Sequence, residues 1–184
     1  MNAPFAPIRL ASRLTADDVL TLLDARILDP EADFELLDGE IITVSPAGPL
    51  HQDVQIELEE QLAVLRDRYK VTSSATLRLS EVSLVDPDIV VYPRGLKPLA
   101  FPPTEVVLAV EVTVSTRAYD LGRKADAYAR AGVQELWVVD PEAQVTHVHR
   151  EPSPAGWGAI SQVPFDAPLS PAIRPDLTLT LTLD

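Results

Sequence analysis

The sequence predicts an α/β fold in which a mixed β-sheet is flanked by helices. Three observations carry that reading. Asp38-Gly39 separates two apolar runs between Phe34 and Val44, a hairpin signal because both turn positions tolerate positive φ. Glu105 to Val114 is dense in β-branched residues, as a central strand covered on both faces is. Val54, Leu58, Leu62, Leu65 and Tyr69 recur at steps of four or three, which places them on one helical face. Hairpins make antiparallel neighbours and helical crossovers make parallel ones, so the sheet is expected to be mixed.

In chain order, Met1 to Arg13 is rich in Pro and Ala and reads as a loose arm, followed by one domain over residues 14–184. Thr15 precedes Asp17, Asp18 and the apolar Val19, Leu20, Leu22 and Leu23, which predicts a short N-capped helix. After the Phe34–Val44 hairpin, Ser45-Pro46 stops the strand and a helix begins near Pro49. Val71 to Leu79 predicts a strand pair or a bent strand, and Val85 to Tyr92 a short buried strand. A proline-studded loop, Pro93 to Pro103, leads to the Glu105–Val114 strand. Tyr119 to Arg130 is expected to be helical, with Gly132 as its C′ cap. Glu135 to Val139 and Gln144 to His149 form a hairpin pair across Asp140-Pro141. After Arg150 the prolines return, and Leu177 to Leu183 alternates Leu with Thr as an exposed or edge strand would, a regular apolar face that invites pairing with a second copy. There is no internal repeat.

Composition narrows the chemistry. With 184 residues, 46% of them hydrophobic, the chain has material for a sizeable core. No run approaches the roughly 20 apolar residues of a membrane span, and the first residues lack a signal peptide's apolar stretch, so a soluble, cytoplasmic protein is expected. Cysteine is absent, which excludes disulfides, thiolate zinc sites and cysteine nucleophiles. A metal would have to sit on carboxylates, histidines or carbonyls, which favours magnesium or manganese over zinc. The net charge of -13 opposes tight non-specific binding to nucleic acid unless a local basic patch exists.

Three residues stand out against that background. Asp88 follows Pro87 at the start of a buried strand, Glu111 interrupts a very apolar one, and Lys124 lies on the next helix. A carboxylate in an apolar strand costs free energy unless a cation or hydrogen bonds compensate it. Two on neighbouring strands would make an oxygen-lined site for a hard divalent ion, with the lysine steadying charge nearby. Each also has an ordinary structural explanation. Asp88 suits a strand-entry turn, Glu111 suits a buried pair with an Arg, and Lys124 suits an i,i+4 bridge to Asp120 on a solvated face. His51, at the head of the first long helix, either faces the site or satisfies the helix end. His147 and His149 share one strand face, which reads as an exposed face. Tyr128 and Trp137 read as core-edge and core.

The segments Leu84-Val85-Asp86-Pro87-Asp88-Ile89-Val90-Val91, Leu108-Ala109-Val110-Glu111-Val112, Ser115 to Lys124 and Tyr128 to Pro141 occur in one order and spacing. Together with Leu37-Asp38-Gly39-Glu40-Ile41-Ile42, Ser45-Pro46 and His51, they resemble the Uma-two family of restriction-endonuclease-like proteins, in the PD-(D/E)XK nuclease superfamily. The resemblance spans roughly Phe34 to Arg150. It implies a restriction-endonuclease-like mixed β-sheet flanked by helices, with an N-terminal β-hairpin extension. It implies too that Asp88 and Glu111 are metal-binding and catalytic. The superfamily lysine two residues after the glutamate is Thr113 here, and the resemblance moves its role to Lys124. Glu40 matches a family position that would complete the site; the alternative is a solvated residue after a turn. The expected function is an endonuclease dependent on Mg²⁺ or Mn²⁺ that hydrolyses phosphodiester bonds of DNA, working as a homodimer. The alternative is a catalytically silent nuclease-fold module used for binding or assembly.

Overall fold

The computed structural model describes residues 13–44, 47–73, 75–97 and 99–182. The expected N-terminal arm lies outside the described residues except for Arg13. The chain builds two sheets. A small antiparallel one has the strand order Glu40–Thr43, Phe34–Leu37, Ser83–Val85, Leu77–Ser80, and a large one the order Gly156–Pro164, Val145–Ser153, Glu135–Asp140, Leu108–Val112, Ile89–Pro93, Tyr69–Thr72.

The first helix, α1 (Ala16–Asp24), starts as its sequence requires. Thr15 Oγ1 accepts from the Asp18 backbone N–H and the Asp18 carboxylate accepts from Thr15 N–H, a reciprocal capping box. The hairpin follows as β1 (Phe34–Leu37) and β2 (Glu40–Thr43), with Leu37 opposite Glu40. Asp38 and Gly39 have φ of 51° and 81°, the doubly left-handed turn that Asp-Gly favours. Next come α2 (Pro49–Leu62), extended by a tighter 3₁₀ turn over Ala63–Asp67, and then β3 (Tyr69–Thr72).

Two sequence expectations are refined here. The strand pair expected over Val71 to Leu79 is real, but its halves join different sheets. β3 edges the large sheet, whereas β4 (Leu77–Ser80) edges the small one. Likewise Val85 to Tyr92 is not one strand. β5 (Ser83–Val85) pairs in the small sheet and β6 (Ile89–Pro93) in the large one, so Asp86, Pro87 and Asp88 form the crossing between them. Period-2 patterning shows which residues share a face, but it is blind to a change of partner strand.

Then β7 (Leu108–Val112) runs antiparallel to β6 and parallel to β8 (Glu135–Asp140). The crossover is a helical segment in three parts: α3 (Arg117–Tyr119), a stretch over Asp120–Lys124 kinked at Gly122, where the backbone leaves the helical region (φ -107°, ψ -111°), and α4 (Ala125–Ala131). Gly132 ends it at φ 81°, the expected left-handed C′ cap. β9 (Val145–Ser153) returns from β8 as a hairpin. β10 (Gly156–Pro164) was not expected, because its side chains are mostly exposed and carry no apolar alternation; its order comes from pairing with β9 along its length.

The large sheet has two covered faces. Ile89, Val91, Leu108, Val110, Val112, Trp137 and Val139 pack against Val54, Leu58 and Leu62 of α2. The alternating set, Val90, Tyr92, Ala109, Leu136 and Val138, packs against Ala125 and Tyr128 of the helical crossover and Leu37 and Leu77 of the small sheet. The C-terminal tail corrects another expectation. Leu179 and Leu181 are buried in the α2-side core, and Gln61 holds the Thr180 backbone from both sides, donating to its carbonyl at 3.0 Å and accepting from its N–H at 3.2 Å. The alternation therefore fills this chain's own core, and the edge strands of the large sheet are β10 and β3. The tail gives no argument for a homodimer.

Candidate active site

Glu111 occupies the alternation slot of Ala109 on β7, so its side chain leaves the sheet on the face covered by the helical crossover. There it meets two donors. Lys124 Nζ donates to its Oε2 at 2.8 Å and Tyr128 OH to its Oε1 at 2.5 Å. The one-turn spacing of Lys124 and Tyr128 brings both to a single carboxylate. Lys124 also pairs with Glu35 Oε1 at 2.7 Å. The side chains of Lys124, Glu35 and Glu111 are only 5%, 3% and 6% exposed, so this is a buried ion triad and not a surface bridge. Asp120, the expected partner of Lys124, takes its hydrogen bond from Thr116 Oγ1 at 2.5 Å.

Asp88 reaches the same place from the crossing between the sheets. Its Oδ2 accepts the Val112 N–H at 2.6 Å, directly beside Glu111, and His51 Nε2 lies 3.1 Å from its Oδ1. One helical turn on from His51, Gln55 donates to the Asp88 carbonyl at 3.0 Å. Helix α2 thus grips Asp88 at backbone and side chain. His51 Nδ1 is buried with no hydrogen-bond partner among the described residues. Asp88, Glu111, Lys124, Glu35, Asp86, Asp120 and His51 line one cleft of about 660 Å³.

The cleft is crowded with negative charge. Burial pushes the Glu111 carboxyl well above its ordinary value against the pull of Lys124, and Glu35, Asp88 and Asp120 raise it further. Burial also raises Asp86 and Asp120. Burial by itself would lower Lys124, but Glu111, Glu35 and Asp120 outweigh it and hold the ammonium above the usual lysine range.

A family model described as "Putative restriction endonuclease" matches residues 17–182. The chain belongs to the Uma2 family. The solved structure of a putative nuclease of DUF820 from Anabaena variabilis ATCC 29413 matches the Uma2 chain with a TM-score of 0.69 at 19% identity, covering 91% of this chain and 94% of that one. At that identity the likeness is one of fold. No curated protein matches.

Within this Uma2 chain the structure brings Asp88, Glu111 and Lys124 together and leaves Glu40 out. Glu40 sits opposite Leu37, on the hairpin face that points inward, but at the turn end; it is exposed and pairs with Arg123 at 3.0 Å. Glu35 lies two residues before Leu37, on the same face but at the other end, and reaches Lys124. The sequence carried a signal for it: Phe34-Glu35-Leu36-Leu37 places a charge inside an apolar run, as Glu111 does in its own strand. Tyr128 is fully buried and serves Glu111 directly. His147 and His149 are buried, not exposed, and burial lowers both; they lie on β9 outside the cleft lining. Trp137 is core, as expected, with its Nε1 donating to Glu135 at 2.8 Å.

Among the described residues no three His, Asp or Glu side chains form a ready-made cation cage. The donor set fits a hard divalent ion all the same. Magnesium-type sites use one or two carboxylates and leave other positions to water and phosphate, and here carboxylates outnumber the lysine in one cleft. Asp88 and Glu111 could supply those oxygens. No described helix is long and apolar enough to cross a membrane.

Proposed function

We propose that the protein is a divalent-metal-dependent endonuclease that hydrolyses phosphodiester bonds of DNA. The observation that supports this most is the convergence of Asp88, Glu111 and Lys124, from three separate elements, on one carboxylate-rich cleft. Asp88 and Glu111 would hold Mg²⁺ or Mn²⁺, which supplies Lewis acidity toward a phosphate oxygen and a bound water of lowered pKa.

The remaining work falls to side chains. Lys124 is held as ammonium, so it cannot act as a base. It has three N–H donors, two of them directed at Glu35 and Glu111. The third can meet an attacking water or a phosphate oxygen as negative charge develops, the point at which a fixed positive charge lowers the barrier most. Tyr128 and Lys124 orient Glu111, while the Val112 N–H and His51 orient Asp88.

The buried triad also favours a second reading, in which Lys124, Glu35 and Glu111 form a structural ion cluster in a silent binding module. A cleavage matrix separates the two: purified protein with Mg²⁺, Mn²⁺ or EDTA against duplex DNA, single-stranded DNA and RNA. Metal-dependent cleavage of DNA that Asp88→Ala abolishes is the expected result. No cleavage under any condition, with no metal binding by calorimetry, would leave the silent module.

A further inference from the structure

The acidic cleft leaves a nuclease short of positive charge, and the fold supplies some elsewhere. At the opposite end of β6 from Asp88, a cavity of about 490 Å³ is lined by Lys70, Thr72, Tyr92, Arg94, Gly95, Leu96 and Lys97. It holds three cations and no carboxylate, in a chain whose net charge is -13.

We infer that this basic pocket is an anchor for the phosphate backbone of a nucleic acid, separate from the catalytic cleft. Lys70 lies on the edge strand β3 opposite Tyr92 of β6, and its side chain is exposed. Past the end of β6, Gly95 turns the chain at φ 92°, and a Cβ there would meet nothing within 4 Å, so the turn borders open space. Across that turn Arg94 and Lys97 join the same cavity. Arg94 Nε donates to the Arg66 carbonyl at 3.0 Å, which fixes its guanidinium at the rim. Among the described residues, neither Lys70 nor Lys97 makes an ion pair. By contrast Arg66 is paired with Glu59 at 2.7 Å, and Lys124 is enclosed by its carboxylates. Tyr92 is stacked on Phe101 with ring centroids 4.8 Å apart, a rigid wall that does not compete for anions.

The placement suits a strand that extends beyond the cleft. From Asp88 to Arg94 the extended chain advances roughly 20 Å, and a nucleic-acid strand carries a phosphate about every 3.4 Å along the axis. A backbone seated on Lys70, Arg94 and Lys97 therefore reaches the cleft end of β6 within several nucleotides. The choice of ligand rests on the nuclease reading; the charge and shape of the pocket do not.

The test is binding of a labelled DNA duplex in EDTA over a range of salt, so that cleavage plays no part. Wild type is compared with the double variant Lys70→Glu/Lys97→Glu and with the charge-keeping Lys70→Arg/Lys97→Arg. Both lysines are exposed, and circular dichroism checks that the variants fold. The charge reversal should weaken binding about tenfold or more and lower the salt slope by about two. The arginine pair should bind as wild type does. Loss of binding in the reversed variant, in a protein that cleaves nothing, supports the anchor and removes only the nuclease reading. Wild-type cleavage with unchanged binding by the reversed variant would overturn the anchor and leave the nuclease. So would wild-type protein that ignores DNA but binds phosphatidylserine vesicles through the same lysines.

Discussion

Lys124 decides most at the scale of single residues. The family resemblance has Lys124→Met abolish metal-dependent cleavage, and the i,i+4 spacing to Asp120 has it leave melting almost unchanged, since a solvated pair is worth about 0.2–0.5 kcal/mol. The structure changes half of that. With Lys124 removed, Glu35 and Glu111 face each other in the interior with no cation between them. Breaking a buried pair in this way costs about 3–5 kcal/mol. Lys124→Met should therefore lose both cleavage and stability, the latter read by urea denaturation. Adding Glu35→Gln should restore part of the stability and none of the cleavage. A Lys124→Met protein that melts with wild type would mean the triad is hydrated rather than buried.

At the scale of elements, the hairpin matters because β1 delivers Glu35. Its turn is tight for two reasons at Gly39. The residue is left-handed at φ 81°, and a Cβ there would stand 2.3 Å from Arg13 Cβ. Gly95 is also left-handed, at φ 92°, but faces open space. Left-handed backbone alone costs an L-residue about 1–2 kcal/mol. Gly39→Ala should exceed that and Gly95→Ala should not, in urea denaturation of the two variants. Equal costs would show that Arg13 swings away freely. The helical crossover acts in the same manner for the other side of the triad, since its segment kinked at Gly122 ends at Lys124 and α4 carries Tyr128 one turn later.

At the scale of the molecule, two sheets meet where Asp86 to Asp88 cross between them, and the carboxylates of both collect there. Glu111, Asp86 and Asp120 are raised above their ordinary values of 4.5, 3.8 and 3.8. Below those values both folded and unfolded chains are protonated. As pH rises, the unfolded chain releases protons that the folded one still holds, so the metal-free protein loses stability through the raised values. A divalent ion binds the deprotonated groups and acts in the opposite direction. The melting-temperature gain from Mn²⁺ should be larger near about pH 8 than near about pH 5, and Asp88→Asn should remove most of it. A gain independent of pH, or one kept by Asp88→Asn, would place the ion elsewhere.

What the sequence determined by itself was local or periodic. The Asp-Gly turn, the Thr15 cap, the Gly132 stop and the α2 stripe each depend on a few neighbouring residues, so they could be read directly. Glu111 was legible for a related reason: a charge inside an apolar strand is costly wherever that strand lies, whereas Asp88, in the crossing before β6, was marked out by its place in the family motif. Tertiary structure alone decided the partners. Lys124 could be placed on a helix but not given Glu35 as a neighbour, because the contact joins β1 to a crossover dozens of residues later. Glu40 and Glu35 share one hairpin face, and only the docking of that hairpin shows which end enters the cleft. β10 left no apolar pattern, since an edge strand is ordered by its neighbour's backbone. The tail's leucines showed a face to be covered, and the fold turned that face into its own core rather than toward a second copy.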